Sequence, residues 1–78
     1  MDIKVIKGLV ANHTVQELYA FADEFERTGV APVATQDDPG DQMSDYLQAA
    51  EVRAAVDAGK PLNEALREFG QRVRGVLT

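Results

Sequence analysis

Apolar side chains recur at intervals of three and four along most of the chain, which is the spacing of one face of an α-helix. The repeat is clearest in the final segment, between Leu62 and Phe69, and a second such segment begins at Val15. Residues 3–10 show a weaker repeat, because Ile3 and Val5 also alternate as in a strand. The pattern predicts a mostly helical chain, with a short helix favoured over a strand at 3–10.

The ends of the second predicted helix are marked by capping residues. Thr14 followed by Glu17 forms a capping box, in which each side chain satisfies a free backbone amide at the start of a helix. Gly29 suits the left-handed conformation that closes a helix, and Pro32 cannot continue one. We therefore expect this helix to begin at Val15 and to end before Gly29.

A third helix follows a segment of different character. Residues 30–37 combine proline, threonine and aspartate with a few apolar side chains, which predicts an irregular or short extended segment. Asp38 is a suitable N-cap and Pro39 a suitable first helical residue. The helix should run from Pro39 to about Ala58, because glycine and proline follow at 59–61.

These elements predict an all-α fold, a small bundle of three to four helices with the irregular segment at about 30–37. A chain of 78 residues with 45% hydrophobic content is at the small end of what folds without disulfides or metals. We expect a single helical domain over residues 1–78.

The long central helix has apolar residues on two sides. One stripe contains Met43, Leu47, Ala50 and Ala54, and the other, nearly opposite, contains Ala49, Val52 and Val56. One stripe can serve the core of the monomer, which leaves the other for a partner. We therefore expect a small, non-catalytic interaction or assembly module that self-associates through the central helix and docks on a larger protein. The expected interface residues are Ala49, Val52 and Val56.

Composition narrows the function classes. The chain has no cysteine, which excludes disulfides and thiol chemistry and fits a reducing cytoplasm. Its net charge of −5 disfavours binding to nucleic acid and to anionic lipid. We expect no membrane association, because the longest apolar run is far too short to span a bilayer and residues 1–4 do not resemble an export signal.

Candidate chemistry is sparse, so we predict no enzymatic activity, cofactor or metal. The single histidine, His13, lies between two predicted helices, where a solvated or capping role is expected. His13 and Glu17 share a helical spacing, but two ligands do not complete a metal site. An acidic cluster at 37–45 lacks the glycine and the final glutamate of an EF-hand calcium loop, so capping and solvation are its expected roles. Its members are Asp37, Asp38, Asp41 and Asp45.

The alternative function is a helix-turn-helix DNA-binding regulator that uses the helix at 62–76. That helix follows a short turn and contains Arg67, Arg72 and Arg74. The acidic total argues against this alternative, and Glu64 and Glu68 are spaced to pair with these arginines along the helix.

Two stretches together resemble a known family: VIKGL at 5–9, and AGKPLNEALREF at 58–69 followed by RVR at 72–74. They resemble an uncharacterised family of small helical bacterial proteins, often encoded near peroxiredoxin and thioredoxin-like proteins. The resemblance implies a helical accessory protein without catalytic residues. Since this chain has no cysteine, any link to thiol chemistry would be through binding.

Overall fold

The structure, a computed structural model, describes the backbone of residues 3–33 and 39–77 and the side chains of residues 3–33 and 41–72. Within these residues the chain forms four helices and no strand, which confirms the all-α bundle. The helices are α1 (Ile3–Asn12), α2 (Val15–Thr28), α3 (Pro39–Asp57) and α4 (Leu62–Leu77). No described helix combines the length and apolar character that crossing a bilayer requires.

The uncertain N-terminal segment is helical, because its apolar residues are buried on one face of α1 rather than alternating across a strand. Residues 30–33 are irregular, as expected. The remainder of the predicted extended segment, at 34–37, lies outside the described residues, as does the predicted N-cap Asp38.

Both ends of α2 have the predicted caps. The hydroxyl oxygen of Thr14 accepts a hydrogen bond from the backbone amide of Glu17 at 3.1 Å, and the Glu17 carboxylate accepts one from the Thr14 amide at 2.9 Å. Gly29 has a φ of 74°, and its amide donates to the Phe25 carbonyl at 2.8 Å. The capping residues therefore predicted both boundaries correctly.

The central element is α3, which packs against each of the other three helices. Their apolar faces meet around it in one hydrophobic core. The buried members of this core are Ile6, Leu9, Val10, Leu18, Ala22, Tyr46, Ala49, Ala50, Val52, Ala65 and Phe69.

Two long side chains of α3 fasten other parts of the chain to it. The hydroxyl of Tyr46 donates a hydrogen bond to the Val33 carbonyl, which ties the segment after α2 to α3. Arg53 donates from Nη1 to the Val10 carbonyl at 2.8 Å and from Nε to Asp57 at 2.9 Å. Arg53 thereby satisfies a carbonyl at the C-terminal end of α1, where the helix itself has no further donor.

Candidate interaction surface

The stripe of α3 that was expected to face a partner is covered by the chain itself. Ala49 is 0% exposed, Val52 is 2% exposed, and Val56 is half-buried against the core. Ala49 and Val52 are covered, contrary to expectation, because α1, α2 and α4 all pack on α3, whereas Val56 is only partly covered. An interface through this stripe stays a prediction. These three side chains are used within the fold.

The opposite stripe is the one that reaches the surface. Ala50 is fully buried and Met43 is half-buried, but Leu47 is 44% exposed and Ala54 is also exposed. Leu47 and Ala54 are seven residues apart, about 10 Å along the axis at 1.5 Å per residue. The stripe is therefore divided between the core and an apolar ridge, which consists of Leu47 and Ala54.

A groove of about 520 Å³ lies between α3 and α4. Its apolar lining comes from small side chains, namely Val52 and Ala55 of α3 and Ala65 of α4. The polar side chains that line it are Glu51, Glu68, Gln71 and Arg72. Val52 and Ala65 are themselves buried, at 2% and 4% exposure, so Ala55 and the polar side chains form most of the accessible surface of the groove.

Opposite charges meet across this groove. Arg72 of α4 forms an ion pair with Glu51 of α3, and their side chains are 63% and 49% exposed. Lys60, in the turn before α4, pairs with Glu68. Arg72 and Glu68 therefore do not pair with each other along α4 as expected. Arg72 pairs with α3, and Glu68 pairs with the turn.

The ridge and the groove belong to one continuous surface. Glu51 lies four residues after Leu47, three before Ala54 and four before Ala55, so all four positions are neighbours on the helix. We call the ridge and the groove together the α3–α4 face. It places an exposed leucine near a concavity whose two sides contain a carboxylate and a guanidinium.

The candidate metal ligands that the structure describes do not gather into a group of three. Within the described ranges no three histidine, cysteine, aspartate or glutamate side chains are placed to hold a metal ion. Asp37 and Asp38 lie outside those ranges, while Asp41 is exposed in the first turn of α3. Asp45 was expected to be solvated, but its side chain is 1% exposed. It interacts with another group of the chain.

His13 has a packing role that was not expected. Its ring meets the ring of Phe21 edge-on, with centroids 4.9 Å apart and an interplanar angle of 88°. The side chain is half-buried rather than fully solvated. The residue extends the aromatic packing that links Phe21 to Tyr46 of α3.

The arginines of the DNA-binding alternative are divided between different environments. Arg67 is exposed on α4, whereas Arg72 is engaged with Glu51. The side chain of Arg74 lies outside the described residues.

The family match comes from the sequence over its full length. A family model described as a family of unknown function, DUF6952, matches residues 1–78. The chain belongs to this family. The DUF6952 match agrees with the resemblance to an uncharacterised family of small proteins, and the bacterial origin and genomic neighbourhood stay predictions. Neither a curated protein nor a solved structure matches the chain.

Sequence reasoning found both apolar stripes of α3 but expected exposure at Ala49 and Val52, which are buried, and did not single out Leu47, which is exposed. The missing information is which helices cover α3, and a periodicity in one segment does not contain it. The small residues Ala55 and Ala65 were a partial signal, because small side chains at a helix contact leave either close packing or a groove. The sequence does not say which of the two occurs.

Proposed function

We propose that the chain is a small, non-catalytic interaction module that self-associates through α3, with the α3–α4 face at the contact. The observation that carries the proposal is the exposed Leu47, which lies on the central helix beside an apolar groove. A single exposed leucine is common on protein surfaces, so the support comes from its position beside a concavity whose two sides have opposite charges.

The size of the molecule supports a broad contact rather than a single anchor. A stable dimer buries about 800 Å² on each partner. The accessible surface of this chain is 4993 Å². Such an interface would therefore cover about a sixth of the molecule, more than one leucine supplies, so the groove and its charged side chains should take part.

The test measures the wild type and two glutamate variants, Leu47→Glu and Tyr19→Glu, by sedimentation velocity over a series of protein concentrations. Leu47→Glu places a charge on the ridge and should leave a monomer at concentrations where the wild type is a dimer. Tyr19→Glu is the matched control, because Tyr19 is 53% exposed on α2 and does not line the groove. A wild type that stays monomeric throughout would contradict the proposal.

The proposal extends to a larger protein partner and to a cytoplasmic location. The absence of cysteine fits a reducing cytoplasm, and the resemblance to a family of accessory proteins supports a larger partner. Cell fractionation tests the location, and co-purification from the native host identifies a partner.

DNA binding through α4 stays the alternative prediction. A gel shift on mixed genomic fragments at low salt tests it, because electrostatic binding is strongest there. Retardation that is lost in Arg67→Glu would favour the alternative.

A further inference from the structure

We propose that the chain forms a two-fold dimer in which Leu47 of each protomer enters the α3–α4 groove of the other, with Glu51 and Arg72 pairing between protomers. This inference rests on the proposed self-association and adds its geometry. In a two-fold dimer the same surface patch is used by both protomers, so the patch must be complementary to itself.

The α3–α4 face meets that requirement in shape. It contains a ridge, Leu47 with Ala54, directly beside a groove lined with Val52, Ala55 and Ala65. A two-fold rotation that brings the ridge of one protomer onto the groove of its partner also brings the partner's ridge onto the first groove. Both apolar features are then covered by one contact.

The face also meets the requirement in charge. Glu51 and Arg72 lie on opposite sides of the groove, on α3 and α4, and both remain largely exposed. In the dimer each carboxylate would lie between the guanidinium of its own chain and that of the partner. Pairing of this kind fixes the register of an interface and disfavours other orientations.

Charge reversal distinguishes pairing between protomers from pairing within one. The chain with Glu51→Lys carries two positive charges at this place, and the chain with Arg72→Glu carries two negative charges. Each variant alone should dimerise at least about tenfold more weakly than the wild type, because like charges then meet across the two-fold axis. An equimolar mixture should form a heterodimer, since every contact between the two chains then joins opposite charges.

Net charge alone gives a different expectation. A glutamate-to-lysine change raises the net charge by two, from −5 to −3, and so lowers the general repulsion between protomers. Glu51→Lys would then dimerise more tightly than the wild type. Glu24→Lys, on the exposed surface of α2, is the matched control for this general effect.

The measurements are sedimentation velocity for the dimer constants and native mass spectrometry for the composition of the dimers. Circular dichroism of each variant checks the fold. The double variant E51K/R72E exchanges both charges within one chain and should dimerise like the wild type. The expected result is that the mixture recovers to within about threefold of the wild-type constant.

Two results would overturn the inference. If the wild type dimerises and the mixture associates no better than either variant alone, Glu51 and Arg72 do not pair between protomers, while the self-association itself stands. If the wild type is a monomer at every concentration, the inference fails together with the proposed function.

Discussion

The start of α2 depends on Thr14 and Glu17, which satisfy each other's backbone amides. The Glu17 side chain is fully exposed, so its effect comes from this hydrogen bond rather than from burial. The Thr14 amide donates to the carboxylate and holds the pKa of Glu17 below its ordinary value of 4.5.

This lowered pKa predicts a pH dependence. Because the folded pKa lies below the unfolded one, the carboxylate stabilises the fold at pH values above 4.5, and the contribution is lost as the pH falls through the folded value. An NMR titration should show Glu17 titrating below 4.5 in the folded chain. In Glu17→Gln the loss of stability that comes from protonating Glu17 at low pH should be absent. A Glu17 pKa at or above 4.5 in the NMR titration would contradict the capping argument.

Gly70 is a second residue whose role the structure decides. It lies inside α4, where glycine costs about 1 kcal/mol relative to alanine, and a Cβ placed on it meets nothing within 4 Å. We therefore predict that Gly70→Ala stabilises the chain by about 0.5–1 kcal/mol in urea unfolding. Gly29→Ala is the contrasting control and should destabilise, because the φ of 74° at Gly29 disfavours any side chain. A loss of stability in Gly70→Ala would reveal a close contact at that position.

Among the helices, the boundaries could be predicted and the packing partners could not. Capping residues act within a few positions of the chain, so Thr14 and Gly29 marked the ends of α2 in the sequence itself. The two apolar sides of α3 gave no such local signal, because their burial depends on helices distant in sequence. Val52 is 2% exposed and Leu47 is 44% exposed, although both are aliphatic residues on the same helix.

Tyr46 shows how α3 holds other segments in place. Its side chain is 0% exposed, its ring packs edge-on against Phe21 and Phe25, and its hydroxyl donates to the Val33 carbonyl. Tyr46→Phe keeps the ring and removes the hydrogen bond, so it should lower the free energy of unfolding by about 1 kcal/mol.

The same hydroxyl predicts an alkaline effect. Burial raises the pKa of Tyr46 above its ordinary value of 10.0. The neutral hydroxyl therefore stabilises the fold below pH 10, and this contribution is lost as the pH rises through the folded value. Urea unfolding at pH 8 and above pH 10 should show the stability difference between wild type and Tyr46→Phe narrowing, and a constant difference would contradict the assignment.

The molecule as a whole has little stability to lose. At roughly 0.05–0.15 kcal/mol per residue, a chain of this length has a free energy of unfolding of about 4–12 kcal/mol. A chain this small cannot cover all of its apolar residues: Leu47 on the α3–α4 face is 44% exposed, and Tyr19 and Val30 are exposed elsewhere on the molecule. The sequence showed that α3 has more apolar surface than one neighbour can cover. Only the packing of three helices around it determined that Leu47 remains outside.

Core and surface positions of α3 should respond differently to the same substitution. Val52→Glu places a carboxylate where the side chain is 2% exposed, and an unpaired charge at such a site costs about 3–5 kcal/mol, a large share of the roughly 4–12 kcal/mol available. Leu47→Glu, at a position 44% exposed, should cost less than about 1 kcal/mol. Thermal unfolding followed by circular dichroism checks both values.

The contrast decides which variant can report on association. Loss of dimer in Val52→Glu would follow from damage to the core, whereas loss of dimer in a folded Leu47→Glu chain would come from the surface contact. If Val52→Glu were as stable as the wild type, Val52 would not be part of the core. The stripe of Ala49, Val52 and Val56 would then again be available to a partner.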